Sequence, residues 1–192
     1  MRGSTLSFGV LAVTAALAAP STYAATASGP SCEGADVPAT AQSVAATRSA
    51  IACLVDAARV ERKLPALKGN ARLQTAAQRF ARSLDPAKPL THAGPGGSTP
   101  LSRIQDAGYS RGGAGFSAAE TLGRSKGSLA TPSTRVRKWL AAAATRKLLL
   151  SAKYRDVGVG VVTAGDMATF VVEVAKPLAS SASSRSRSRS SR

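Results

Sequence analysis

Hydrophobic positions recur along this chain with two different periods. Val44, Ile51, Leu54, Val55 and Ala58 fall on one helical face, and Pro65 lies just beyond them, so the spacing predicts an amphipathic helix of about four turns. Asn70 is placed to cap a second helix, whose apolar stripe is Leu73, Ala76, Ala77, Phe80 and Leu84 and which Pro86 stops. A glycine-rich loop follows at residues 88–98, KPLTHAGPGGS, and then a short helix from about Leu101 to Ala107 with Ile104 and Ala107 inward. Residues 109–132 are mostly Gly, Ser, Arg and Ala and read as a long loop, with Glu120 in its least glycine-rich part. Structureless loops of that length are uncommon and often functional. Ser133 opens a further helix through Val136, Trp139 and Leu140 that continues loosely into Leu148.

The period then shortens. DVGVGVV (156–162) and MATFVVEVA (167–175) are rich in valine and are separated by the turn signal Thr163-Ala-Gly-Asp166, which predicts a β-hairpin. Glu173, among valines in the second strand, is expected to face water or pair with a surface arginine. Helices first and paired strands last argue for an α+β fold with helices packed on an antiparallel sheet.

The ends of the chain have a different character. Arg2, an apolar run from Phe8 to Ala19, and small residues at Thr22 and Ala24 read as a secretory signal peptide over residues 1–24. The run is about a dozen residues, short of the roughly 20 that span a bilayer, so the mature chain is expected to be exported without a transmembrane segment. Residues 25–41 read as a linker, 42–178 as one domain, and 179–192 as a Ser/Arg-rich tail. Export lets Cys32 and Cys53 join in a disulfide closing a loop of about 20 residues, worth about 3 kcal/mol in the chain-entropy account. Two cysteines are too few for a zinc site built from thiolates.

Charge adds a partner class. Of 26 Lys+Arg, removing Arg2 with the signal leaves 25 against 10 Asp+Glu, a net +15. The segment SSASSRSRSRSSR (180–192) carries four of those arginines and nothing large enough to pack, so it is expected to be disordered. It either holds an anionic cell-surface polymer by counterion release or stays solvated; charge alone specifies no nucleic-acid site.

His92 is the one histidine in the chain. A hydrolase would need it beside a nucleophile, yet no G-x-S-x-G elbow is present, both cysteines are consumed, and no spacing selects a carboxylate pair from ten scattered acids. A His92–Glu120 hydrogen bond that only stabilises the loop is the plainer reading.

Six segments taken in order carry a family likeness: ACLVDAARVERKLPAL, LQTAAQRFARSL, THAGPGG, IQDAGYS, AETLG and VRKWLAAAATRKLLLSAKYRDVGVGVV. Together, over residues 48–176, they resemble the bacterial branch of the CAP (SCP-like) superfamily, kin to the cysteine-rich secretory proteins, antigen 5 allergens and plant pathogenesis-related proteins. The resemblance implies a secreted three-layer α-β-α sandwich with a cleft where two histidines and one or two acids meet, able in some members to hold a divalent metal. His92 falls on the first histidine and Glu120 on the acid of G-E-N-I-A, with Ala119 and Thr121 replacing its Gly and Asn. The second histidine position is Thr145, followed by a matching Arg146, and a Ser-Pro-Gly turn has become Ala142, Ala143 and Ala144.

The cleft candidates are therefore His92, Glu120 and Thr145. A threonine hydroxyl is a poor neutral ligand, which leaves two good donors, so no metal or other cofactor is expected. Three alanines favour continuing the helix through that wall. The expectation is a secreted, extracellular or wall-associated binding module with a degenerate cleft for a lipid, glycan or protein ligand, and not an enzyme. A hydrolase of peptide or cell-wall material acting through His92 and Glu120, and a protein retained on anionic polymer, are the alternatives.

Overall fold

The structure, a computed structural model, describes residues 31–109 and 115–178. The expected signal peptide, the first part of the linker and all but the first residues of the hairpin's C-terminal extension, including the Ser/Arg tail, lie outside the described residues. Five helices and four strands are described: α1 (Val44–Val60), β1 (Lys68–Gly69), α2 (Ala71–Ser83), α3 (Pro100–Asp106), β2 (Phe116–Lys126), α4 (Pro132–Ala141), α5 (Ala143–Leu149), β3 (Asp156–Ala164) and β4 (Met167–Pro177). The strands form one sheet in the order β1-β3-β4-β2. It is mixed: β1 runs parallel to β3, while β3–β4 and β4–β2 are antiparallel.

Side chains alternate across β4 and divide the core in two. Phe170, Val172 and Val174, with Val157, Val159 and Val161 of β3, pack against Ile51 and Val55 of α1, Val136 and Trp139 of α4, and Leu149 of α5. Val171 and Ala175, on the opposite face, meet Leu73, Ala76, Ala77 and Phe80 of α2 and Ile104 of α3. The result is a three-layer α-β-α sandwich, with both sheet faces covered as the nearly continuous apolar run of β4 demands. Gly158 and Gly160 face α2. A β-carbon at Gly158 would sit 2.2 Å from the Leu73 carbonyl carbon, and one at Gly160 would sit 2.2 Å from the Ala77 carbonyl oxygen. The Val-Gly-Val-Gly alternation therefore lets the α2 backbone lie directly on the sheet.

Asn70 caps α2 as the sequence predicts, its side chain accepting from Arg72 N and Leu73 N. Three sequence expectations are corrected. Residues 116–126 are not loop: β2 pairs along its full length with β4, from Phe116↔Pro177 to Lys126↔Met167. The Ala142–Ala144 stretch does not continue α4, because Ala142 is extended (φ −79°, ψ 127°) and a separate α5 begins after it. Arg146 Nη1 donates to Leu140 O (2.9 Å) and Ala141 O (3.1 Å), satisfying carbonyls that end α4. Glu173, finally, is fully buried.

The Cys32–Cys53 disulfide is present. It ties the segment before α1 to that helix, and the same segment docks on the start of α4 through Ala39 N to Ala130 O (2.9 Å) and Ser133 N to Ala35 O (2.8 Å). Ala39 is itself buried.

Candidate functional site

Glu120 lies mid-way along β2, directly opposite Glu173 on β4, which in turn is opposite Gly158 on β3. All three therefore face the α2/α3 layer. Two other elements converge on Glu120. Thr99 caps α3 reciprocally with Ser102, with Pro100 at the first turn, and so fixes the helix that carries Arg103. The glycine-rich loop turns at Gly96 and Gly97, both at positive φ, and carries His92 back toward the sheet.

The three side chains form one chain of bonds. His92 Nδ1 lies 2.8 Å from Glu120 Oε1, and Arg103 Nη2 donates to Glu120 Oε2 at 2.8 Å. The Glu120 side chain is 0% exposed, that of Arg103 10% and that of His92 57%. An arginine-paired carboxylate only accepts, so His92 Nδ1 carries the proton they share. Arg103 also holds the loop directly: Nη1 donates to Ser98 O (2.9 Å) and His92 O (3.2 Å), and its guanidinium stacks 3.5 Å from the Phe80 ring centre. Both Glu120 oxygens are thus spent on anchoring the loop.

Glu173 sits beneath this triad. Neither of its oxygens has a hydrogen-bond partner among the described residues. Burial, reinforced by the neighbouring Glu120 carboxylate and only partly offset by Arg103, pushes its carboxyl up to about 9. At neutral pH it is a neutral acid, the form two facing carboxyls adopt when only one can ionise. The expectation that it faces water fails because β4 is covered on both sides, leaving no solvent face for position 173 to use.

Beside the loop lies a pocket of about 260 Å³, walled by Phe80 of α2, by Leu84 just past the end of that helix, and by Pro89, Ala93 and Pro95 of the loop. Its polar rim includes Asp85 and Lys88, 3.7 Å apart.

Of the three residues singled out by sequence, the structure brings His92 and Glu120 together. Thr145, on α5, forms no hydrogen bond to either: its hydroxyl donates to Trp139 O and also lies 3.3 Å from Ala142 O, closing the break between α4 and α5. Among the described residues no three His, Cys, Asp or Glu side chains converge as a metal ion needs. Sequence reasoning missed Arg103 and Phe80. The capping sequence Thr-Pro-Leu-Ser marks the start of α3 and could have drawn attention to Arg103, the next residue, but nothing local announces its stacking on Phe80.

The sequence profile of the cysteine-rich secretory protein family, CAP, matches residues 54–174. The chain belongs to the CAP family. Among solved structures, an outer surface protein of Borrelia burgdorferi aligns with a TM-score of 0.56 at 22% identity, over 66% of this chain and 90% of that one. An extracellular protein of Bacillus anthracis containing an SCP domain aligns with a TM-score of 0.54 at 18% identity, over 68% of this chain but only 43% of the other. At these identities the likeness is one of fold. No curated protein sequence matches significantly.

Proposed function

We propose that this protein is a secreted binding module whose ligand site is the pocket between α2 and the His92 loop. The observation that carries the reading is that both oxygens of Glu120 are engaged, one by His92 and one by Arg103. A carboxylate so committed serves to hold the loop over Phe80 and is poorly placed to take a proton from a substrate. Among the described residues, no serine, threonine or cysteine side chain hydrogen-bonds the His92 ring, as an activated nucleophile would. A divalent ion does not fit the donors either, since Glu120 is occupied, the Thr145 hydroxyl is turned to backbone carbonyls, and His92 Nε2 alone remains. Secretion is supported by the disulfide and by the surface and extracellular character of the two structural neighbours.

The pocket's volume lies just under the roughly 300–1,000 Å³ typical of small-molecule sites, and its walls are mainly apolar. It suits one compact apolar group, such as a short acyl chain. Titration of the purified protein with a short-chain fatty acid, followed by NMR, checks this. Saturable shifts confined to residues 80–95 are expected, and they should vanish when Ala93→Trp fills the pocket. Shifts that persist in Ala93→Trp, or none in the unaltered protein, would contradict it.

A further inference from the structure

A second pocket, of about 220 Å³, opens between α1 and α2 on the side of the sheet edge away from Glu120's strand. Its construction starts from an unfilled position in the sheet. β1 pairs with β3 only at Asp156 and Val157, so the β3 backbone beyond is open. Gln78 of α2 fills that place: its Nε2 donates to Val161 O at 2.9 Å and its Oε1 accepts from Val161 N at 3.0 Å. The amide is buried and fixed at both ends, and its Oε1 also accepts from Arg48 Nη2 of α1.

Arg48 is thereby held in place without any acid. The pocket is lined by Arg48, Arg79, Arg82, Gln74, Thr75 and Gln78, three cations and no carboxylate. None of those arginines forms a salt bridge among the described residues. Arg48 Nε is buried with no hydrogen-bond partner. Burial and the nearby Arg82 charge both lower the Arg48 pKa, so its positive charge is held against desolvation and repulsion. The positions on α2 are not accidental in register, since 74, 75, 78, 79 and 82 share one helical face. Three guanidinium groups lining one opening with no carboxylate among them are complementary to an anion with several acceptor oxygens.

We propose that this pocket binds a phosphate group, with the Arg48 and Arg82 guanidinium groups as its principal donors and Arg79 as a third cation at the rim. Three cations with no acid fit a doubly charged tetrahedral anion better than a single carboxylate, and the arginine fork matches phosphate oxygens in pairs. The site is separate from the His92 pocket and stands or falls independently of it. Its ligand is either free phosphate or a phosphate ester on a larger molecule.

Thermal unfolding of the full mature chain, at fixed ionic strength with chloride replaced stepwise by inorganic phosphate or by glycerol phosphate, tests the site. Ligand that binds the folded state alone raises the midpoint in a saturable way. The unaltered protein should show that rise, Arg82→Ala, a change at an exposed position, should weaken the fitted affinity by about tenfold, and Arg48→Met should abolish the rise while keeping the packing of the stem. Tighter binding of glycerol phosphate would identify an ester as the natural form, and tighter binding of inorganic phosphate the free ion. The proposal is overturned by a rise no larger than in chloride, or by Arg82→Ala binding as the unaltered protein does.

Discussion

Glu173 illustrates how far a single side chain can depart from its ordinary chemistry when both sheet faces are covered. Its folded pKa of about 9 lies above the ordinary 4.5, so between those values the folded protein holds a proton that the unfolded chain has released. Stability in this respect is fully present below about 4.5, declines as pH rises toward 9, and stays at the lower level above it. Glu173→Gln removes the titrating group at nearly constant shape. Urea unfolding at pH 5 and pH 8 should show the variant gaining about 1–3 kcal/mol relative to the unaltered protein at the higher pH and little at the lower. Equal pH slopes for the two proteins would mean that Glu173 does not stay protonated. Position 173 was legible in principle: Val171 and Ala175 mark its face as apolar as surely as Val172 and Val174 mark the other. A lone acid among valines draws the eye to solvent, and that local inference loses to the tertiary cover supplied by α2.

At the scale of elements, the helices were readable because their stripes and caps are local: Asn70 and the stripe through Leu73 and Phe80 act within a few residues. β2 was not. FSAAETLGRSK has neither strict alternation nor a β-branched run, and it becomes a strand by pairing eleven residues with β4. The two-residue β1 is likewise made by its partner, not by its own sequence. The α4–α5 break shows the same limit, since helix propensity in the alanines yields to the hydrogen bonds that Thr145 and Arg146 make to the end of α4. Close approach of α2 to β3 is the sharpest packing constraint, and it predicts that Gly160→Ala lowers stability by about 3 kcal/mol or more, because the clash is with backbone and no rotamer can relieve it. A urea midpoint within error of the unaltered protein would show that α2 can lift from the sheet freely. The candidate site was half visible for a related reason: His92 and Glu120 sit in recognisable motifs, whereas Arg103 and Phe80 reach the site from separate helices.

For the whole molecule, two features remain apart: a loop-framed apolar pocket beside α2 and an arginine pocket between α1 and α2. The excess of 26 Lys+Arg over 10 Asp+Glu is spread across the chain, and four arginines lie in residues 180–192. If that segment contributes to holding anionic polymer, deleting it should reduce the salt dependence of heparin binding by about 3 in log–log slope, at roughly 0.7 per released counterion. An unchanged slope would assign polyanion binding to the folded body alone. The central claim is that the His92–Glu120–Arg103 arrangement frames a binding pocket and does no chemistry. The most direct measurement is incubation of the purified protein with peptidoglycan and with peptide libraries, alongside His92→Ala. The account predicts no turnover by either protein; turnover by the unaltered protein that disappears in His92→Ala would contradict it.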